Sequence, residues 1–599
     1  MNSIPEVGRV NAPESKSRMA VGRTRRLAWA VLSAFLAACS GTPGEPTATD
    51  TTTATTTTTA ASESQGTTTS VDPTMDAPTT SGTTTTSGAT QGATTAVTST
   101  TDGLGECVAG DSRSCYGGPD GTEGVGQCQA GEQQCGPDET WGPCVGEVVP
   151  GPETCDEPGD EDCDGDDPCV GDGAFAWGLT FGQGGDDQGR RVGFDGAGNV
   201  VVAAWGNGPI DFGGGVLTNA GRDVFLAKFS PTGELLWSER FGDADDQGGP
   251  ELGFAVTPAG DIVLAGYFHG AIDFGGGPLE NPSPAADIFL AKLDGDGAHV
   301  WSKSFNAGEH TAVQDLAIAD NGDILLTGGF YGKLDLDDAA LNGQGDADIF
   351  VARFTAAGAH VWSRAIGDSV AQHGVGIAVD AAGNAYVTGL FWGTIDPGSG
   401  PLMAVGSEDI FLFKLDPAGG TVWGKRFGDV GGQSANAVAV DSKGRVSITG
   451  AVNGGVDFGG GLLKEPLVFS YLAQFDADGA HLWSRKLCVL VYSLGQDVAV
   501  DGLDNILVTG QYADQCELGG APLVALDKGE VFVGKFSPKG EHGWSRSLGG
   551  ADDQLSGDIV GSAAGTVAVT GGFLGAIDLG GGARASKGGR DGFVVVLDP

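Results

Sequence analysis

Asp160, Asp162 and Asp164 alternate with other residues and run into Gly165, with Asp166 one step beyond. Alternating carboxylates let a short loop wrap several oxygens around a hard cation, so these four acids form a candidate Ca2+ site. The pattern breaks at the twelfth position of such a loop, where a bidentate Glu is expected and Gly171 stands. The competing reading is a solvated acidic turn stapled by Cys155 and Cys163. Eight cysteines crowd this region: Cys107, Cys115, Cys128, Cys135, Cys144, Cys155, Cys163 and Cys169. Zinc prefers C-x2-4-C pairs and these spacings are wider, which favours disulfides and an oxidising compartment. So short a segment has little core and needs covalent staples, but the sequence leaves the pairing open. Cys488 and Cys516 lie far downstream within one repeat, and a mutual disulfide is expected there.

Other chemistry-bearing residues recur too regularly to be catalytic. An acid stands two before an aromatic at Asp223, Asp287, Asp348, Asp409, Glu530 and Asp591; these acids could ring a ligand, but turn capping is the expected role. His299, His360, His481 and His542 sit one or two residues before a Trp and read as a repeat feature. His269, His310 and His373 are scattered and are candidate ligands. Asp186-Asp187-Gln188, Asp245-Asp246-Gln247 and Asp552-Asp553-Gln554 fall in matching loops, either an acidic patch for cations or a basic partner, or solvated loop tips. No Ser-His-Asp arrangement, phosphate loop or H-E-x-x-H run is evident. The Gly triplets, such as Gly275 to Gly277, are turns that open no helix and cradle no phosphate.

The elements that must position these residues repeat. Trp177, Trp237, Trp301, Trp362, Trp423, Trp483 and Trp544 are spaced by 60, 64, 61, 61, 60 and 61 residues. Asp211, Asp273, Asp335, Asp396, Asp457 and Asp578 precede Gly-rich turns at the same period, with Glu517 in the remaining slot. Short apolar runs such as Leu235 to Phe241, Ile262 to Tyr267 and Ile288 to Leu293 are joined by Gly/Asp turns, and no segment holds a helical period. A period near 61 built of such strands predicts a radial all-β architecture, a seven-bladed β-propeller over 172–599. The first Trp lacks a preceding Asp-x-Phe strand, and the last such strand, Asp591 to Leu597, lacks a following Trp. Together they complete one unit if the ring shuts, which removes exposed sheet edges. The tryptophans could stack sugars; packing between blades is the expected role.

The repeats resemble a bacterial β-propeller repeat family with DxFxAKxDxxGxxxW and DxxGNxxxTG blocks. The residues that carry this are Asp287 to Leu293 running on to Trp301, and Asp380 to Asn384 running on to Thr388-Gly389. The resemblance implies extracellular surface proteins without a defined reaction. Glu153 to Asp167 likewise resembles the metal-binding motif of MopE-type bacterial surface proteins, in which ECNG-like and DDDCDG-like runs recur.

Ahead of these lies an export pattern over 1–39. Arg23, Arg25 and Arg26 precede an apolar stretch from Leu27 to Ala38, and Met19 is an alternative start. Twelve residues rise about 18 Å as a helix, too short for a bilayer core of about 30 Å, so the stretch reads as a signal peptide. Leu36-Ala37-Ala38-Cys39 looks like a bacterial lipobox, which implies acylation of Cys39; Ser40 favours an outer-membrane destination in a Gram-negative bacterium. Arg25-Arg26 is a weak twin-arginine signal. Residues 40–102 are mostly Thr with Ser, Ala, Gly and Pro, which cannot pack a core and predict a disordered stalk. As a coil from Thr47 to Asp102 its ends would sit roughly 40 Å apart, and full extension would reach on the order of 180 Å.

The formal net charge of −46 repels phosphate backbones and argues against nucleic acid. The expectation is a monomeric, lipid-anchored, non-enzymatic surface protein. A membrane anchor, a stalk, a stapled module (103–171) and a propeller would together present a binding face to an envelope or extracellular protein or glycan. The alternatives are a Ca2+-binding surface protein, and a hydrolase or lyase whose catalytic set would have to break the sevenfold pattern on one face.

Overall fold

In a computed structural model the described residues are 107–119, 121–125, 127–150, 163 and 172–599, apart from 250, 309–310, 489–491 and 527. Cys39, the stalk, Cys155, Cys169, His310 and the four candidate calcium ligands Asp160, Asp162, Asp164 and Asp166 lie outside them. Among the described residues every regular element is a strand, and no helix is long and apolar enough to cross a membrane.

Two compact units are distinguished. The smaller contains the disulfide Cys107–Cys135. The larger contains Cys115–Cys144, Cys128–Cys163 and the whole repeat region. The pairing of Cys163 corrects the acidic-turn reading. Cys163 does not staple to Cys155 but ties back to Cys128, 35 residues away. Closing that longer loop removes more unfolded-chain entropy than an eight-residue turn would.

The repeat region forms seven four-stranded antiparallel sheets, each with a small two-stranded hairpin inserted between its second and third strands. Blade 1 runs Asp187–Phe194, Val200–Gly206, Asp223–Phe229 and Leu235–Phe241, from inner to outer strand. Blades 2 to 6 follow in order. Blade 7 takes its first three strands from the C-terminus, Gln554–Gly561, Val567–Phe573 and Asp591–Leu597, and its outer strand, Phe175–Phe181, from the start of the domain. Trp177 faces Val596 and Thr180 faces Phe593 in that pairing. The orphan strands of the sequence therefore complete one sheet, and the ring is shut.

Core packing explains the strand sequences. In Asp287–Leu293, Phe289 and Ala291 pack towards blade 1, while Ile288 and Leu290 pack towards blade 3. Both faces are covered, so the run is apolar throughout and not alternating. Each core is thus a layer between two successive blades. The closing layer joins Val192 and Phe225 of blade 1 to Phe181, Ala568, Val594 and Val596 of blade 7. A fully buried Phe such as Phe593 contributes about 2–3 kcal/mol of apolar transfer.

The tryptophans lock neighbouring blades, as expected. Six indole N–H groups donate to a carbonyl in the turn between the third and outer strands of the next blade, at 3.0–3.4 Å. The ring lies on a Gly of that turn: Gly233 has φ +83°, and a Cβ there would sit 2.7 Å from Trp177. Trp544 has no such turn ahead of it, because the chain is cut in blade 7. Gly173 takes the place, with φ +64° and a would-be Cβ 2.5 Å from the Trp544 ring. Arg546 pins the same entry segment by donating to the carbonyls of Gly173 and Asp172 at 3.0 and 2.8 Å.

Candidate binding face

The ring has two faces. One carries the turns between first and second strands and between third and outer strands. There a basic residue of the third strand pairs with an Asp of the first turn in five blades: Lys228–Asp195, Lys292–Asp261, Arg353–Asp323, Lys414–Asp380 and Lys535–Asp501, at 2.8–3.4 Å. Gln474 and Val596 hold the slot in the other two. This face is a repeated structural motif.

The opposite face carries the blade-to-blade loops and the inserted hairpins. The repeated acids cap it, as expected. Asp348, Asp409, Glu530 and Asp591 accept the N–H four residues upstream at 2.5–3.0 Å, and Asp223 pairs with Arg240 at 2.7 Å. Burial raises the pKa values of Asp223, Asp348, Asp409 and Asp591. The Asp before each Gly triplet accepts two Gly N–H groups, as Asp273 does from Gly275 and Gly277 at 2.7 and 3.0 Å. His299, His481 and His542 bond Ser302, Ser484 and Ser545 at 3.0–3.1 Å, and His360 meets Asp338. These histidines are structural. His373 is half-buried beside Trp392, and desolvation lowers its pKa to about 4. Cys488 and Cys516 do form a disulfide, but it is not local to one blade: it ties the segment after the outer strand of blade 5 to the inserted hairpin of blade 6, because the sequence repeat, counted from its Trp, starts one strand before the blade does.

The matching of the Asp-Asp-Gln loops is off by one residue in blade 1. Gln247, Gln372, Gln433 and Gln554 begin their inner strands, and Asp187, not Gln188, occupies that register. In blades 2, 4 and 5 the Gln bonds an Asp four residues upstream: Asp243, Asp368 and Asp429, at 2.6–2.9 Å. In blade 1 the two types are exchanged, with Gln183 upstream and Asp187 on the strand. Asp187 is fully buried, and burial, with Asp591 and Asp186 nearby, raises its pKa to about 7. The remaining acids of these loops do not stand as an open patch: Asp553 pairs with Arg590 at 3.1 Å and Asp246 faces Arg222 at 3.7 Å.

The channel is bolted. Arg191, Gly253, Asp315, Gly376, Ala437, Asp497 and Asp558 share one register position on the seven inner strands. Arg191 donates to the Leu252 carbonyl at 2.8 Å, the Gln314 carbonyl at 2.6 Å and Asp558 at 3.1 Å, and lies 3.5 Å from Asp315. One side chain of blade 1 thereby ties blades 2, 3 and 7. Asp315, Asp497 and Asp558 each accept the Ile377, Ile559 or Val192 N–H of the next blade at 2.8–2.9 Å. Burial and then the adjacent Asp558 push Asp497 well above the usual carboxylate range.

A cluster of departures from sevenfold repetition lies between blades 1 and 2 on the loop face. At the next-to-last position of the second strand stand Trp205 and Tyr267, where the other blades have Gly329, Leu390, Ala451, Gln511 and Gly572. Six positions separate Gln247 from Gly253, against four between Gln372 and Gly376, so blade 2 carries two extra residues here. They bring Glu251 into a buried place beside Arg190 and Tyr267. The Arg222 guanidinium stacks over the Trp205 ring at 4.7 Å, near the Tyr267 hydroxyl. Burial, with Glu251 adding to it, raises Tyr267 to about 12, so it stays a neutral donor. The Glu251 Oε2, Trp205 Nε1 and Arg222 Nε atoms are buried without a hydrogen-bond partner. A cleft of about 450 Å3 is lined by Arg222 of this cluster together with Asn207, Asn219, Ala220, Gly221 and Asp246. Of these, Asp246 was singled out in the sequence, as part of the Asp245-Asp246-Gln247 loop; the other five were not, although the 64-residue Trp spacing marks blade 2 as irregular.

Strand order and closure define the class of protein: a seven-bladed β-propeller, all-β, with a disulfide-bonded segment before it. No known family model matches the chain. An uncharacterized WD repeat-containing protein of Acanthamoeba polyphaga mimivirus is 20% identical over 438 residues, 57% of this chain and 31% of that protein. The chain thus spans about a third of that relative's length. Among solved structures, the Neurospora crassa Pan2 WD40 domain aligns with 70% of this chain and 96% of its own, at 11% identity and a TM-score of 0.36. A protein of unknown function from Dyadobacter fermentans aligns with 71% and 98%, at 12% identity and a TM-score of 0.32. The fold assignment rests on the strand pairing and not on these likenesses.

Proposed function

We propose that this chain is a non-enzymatic surface lipoprotein whose propeller binds an envelope or extracellular protein or glycan through its loop face. Cys39 carries the lipid, residues 40–102 provide reach, and the disulfide-bonded segment stiffens the approach to the ring. The observation that carries the reading is the convergence of the repeat-breaking residues on one face, between blades 1 and 2. They supply an aromatic floor, one guanidinium and several amides, which recognise a ligand without activating it. They contain no nucleophile paired with a base, and Asp246 and Glu251 flank Arg222 and Arg190 instead of a shared reaction space.

The test has two parts. Cells expressing the full chain should incorporate labelled palmitate, and Cys39→Ala should abolish it. The purified chain without its signal should retain envelope material, and the Arg222→Ala, Asp246→Ala double variant should retain less than a tenth as much. Equal retention by both proteins would refute the assignment of the face.

A further inference from the structure

We infer that the cleft between blades 1 and 2 is a saccharide subsite that reads vicinal hydroxyls; the inference rests on the loop-face reading above and names its ligand class. Asn207 Oδ1 is held by the Asp186 N–H at 2.7 Å, which leaves its amide N–H groups for the cleft. Asn219 is held the other way: its Nδ2 donates to the Gly221 carbonyl at 2.7 Å and leaves Oδ1 as an acceptor. Arg222 supplies donors and Asp246 supplies acceptors, side by side in the same lining at 3.7 Å. The lining therefore mixes donors with acceptors. A hydroxyl does both at once, and neighbouring hydroxyls on a sugar ring match such a lining better than a carboxylate, a phosphate or an amine does.

Charge points the same way. Arg222 and Asp246 offset one another, so the cleft carries no net charge to select an ion, in contrast to the chain's overall −46. The guanidinium is fixed before a ligand arrives, by the Trp205 ring beneath it and the Tyr267 hydroxyl beside it. Fixing the donor in advance lowers the ordering cost of binding. A volume of about 450 Å3 lies within the usual range for small-ligand sites.

The experiment uses the full chain without its signal on a printed array of neutral oligosaccharides, uronic-acid oligosaccharides and acidic peptides. The expected result is retention of neutral oligosaccharides, weakened at least tenfold by Asn207→Ala and by Asp246→Ala and unchanged by Asp296→Ala on the opposite face. The melting temperature of each variant, kept within a few degrees of the parent, separates lost contact from lost fold. Retention of neutral sugars that ignores both cleft variants would overturn the subsite. Retention confined to uronic acids or acidic peptides would overturn the ligand class. If no sugar is retained while envelope protein is captured through the loop face, this inference fails and the platform reading stands. If the loop-face variants change neither, both fail.

Discussion

The two faces of the ring differ in what they repeat. On the turn face, five basic–acidic pairs and six indole hydrogen bonds recur with nearly the same geometry. On the loop face the capping acids recur, but blades 1 and 2 depart together, with Trp205, Tyr267, Glu251 and Arg222 brought into one cluster. Repetition marks what holds blades together. Departure from it marks what the ring has freed for recognition.

The comparison can be broken most severely in the channel, where a departure is structural. Arg191→Met leaves Asp315, Asp497 and Asp558 without their cation and should cost about 3–5 kcal/mol, read as a lower urea midpoint. On the turn face, Gly233→Val forces a branched side chain into φ +83° and against Trp177. It should cost about 2–4 kcal/mol, and Trp177→Ala in the same chain should recover part of that loss.

Asp187 gives a smaller, pH-dependent effect. Its folded pKa, about 7, lies above the unfolded value near 4, so the folded chain holds this proton more tightly. Stability from this group is full below about pH 4 and is lost as pH rises towards 7. Asp187→Gln with Gln183→Asp restores the arrangement of blades 2, 4 and 5. The double variant should flatten the profile between pH 4 and 7 and gain about 1–3 kcal/mol at pH 7.5; each single change should do worse than the pair. The mildest test is Asp273→Ala, which removes two exposed Gly caps and should cost about 1 kcal/mol in a thermal melt.

Much of this was legible in the residues because each repeat reports on the others. The Trp period located the outer strands, the orphan ends foretold the joining of Phe175–Phe181 to Asp591–Leu597, and the recurrent histidines and acids were read as structural. The cleft was not legible. Five of its lining residues come from the single connection 207–222 of blade 1, whose inserted hairpin separates Asn207 from Asn219, and Asp246 comes from the following blade-to-blade loop, so only the folded ring brings them together. The Asp187 exchange was missed for a related reason: matching Asp-Asp-Gln as a word hid the strand register, in which Asp187 takes the Gln position. The pairing of Cys163 with Cys128 was equally beyond reach, since cysteine spacing does not encode partners.

Both faces exist only if the first strand of the domain closes the last sheet. Hydrogen exchange on the intact chain measures this directly. Amides of Asp591–Leu597 should exchange as slowly as those of Asp409–Leu415, the equivalent strand of blade 4. Fast exchange confined to Asp591–Leu597 and Phe175–Phe181, with the other six blades protected, would show an open edge and contradict the closed ring.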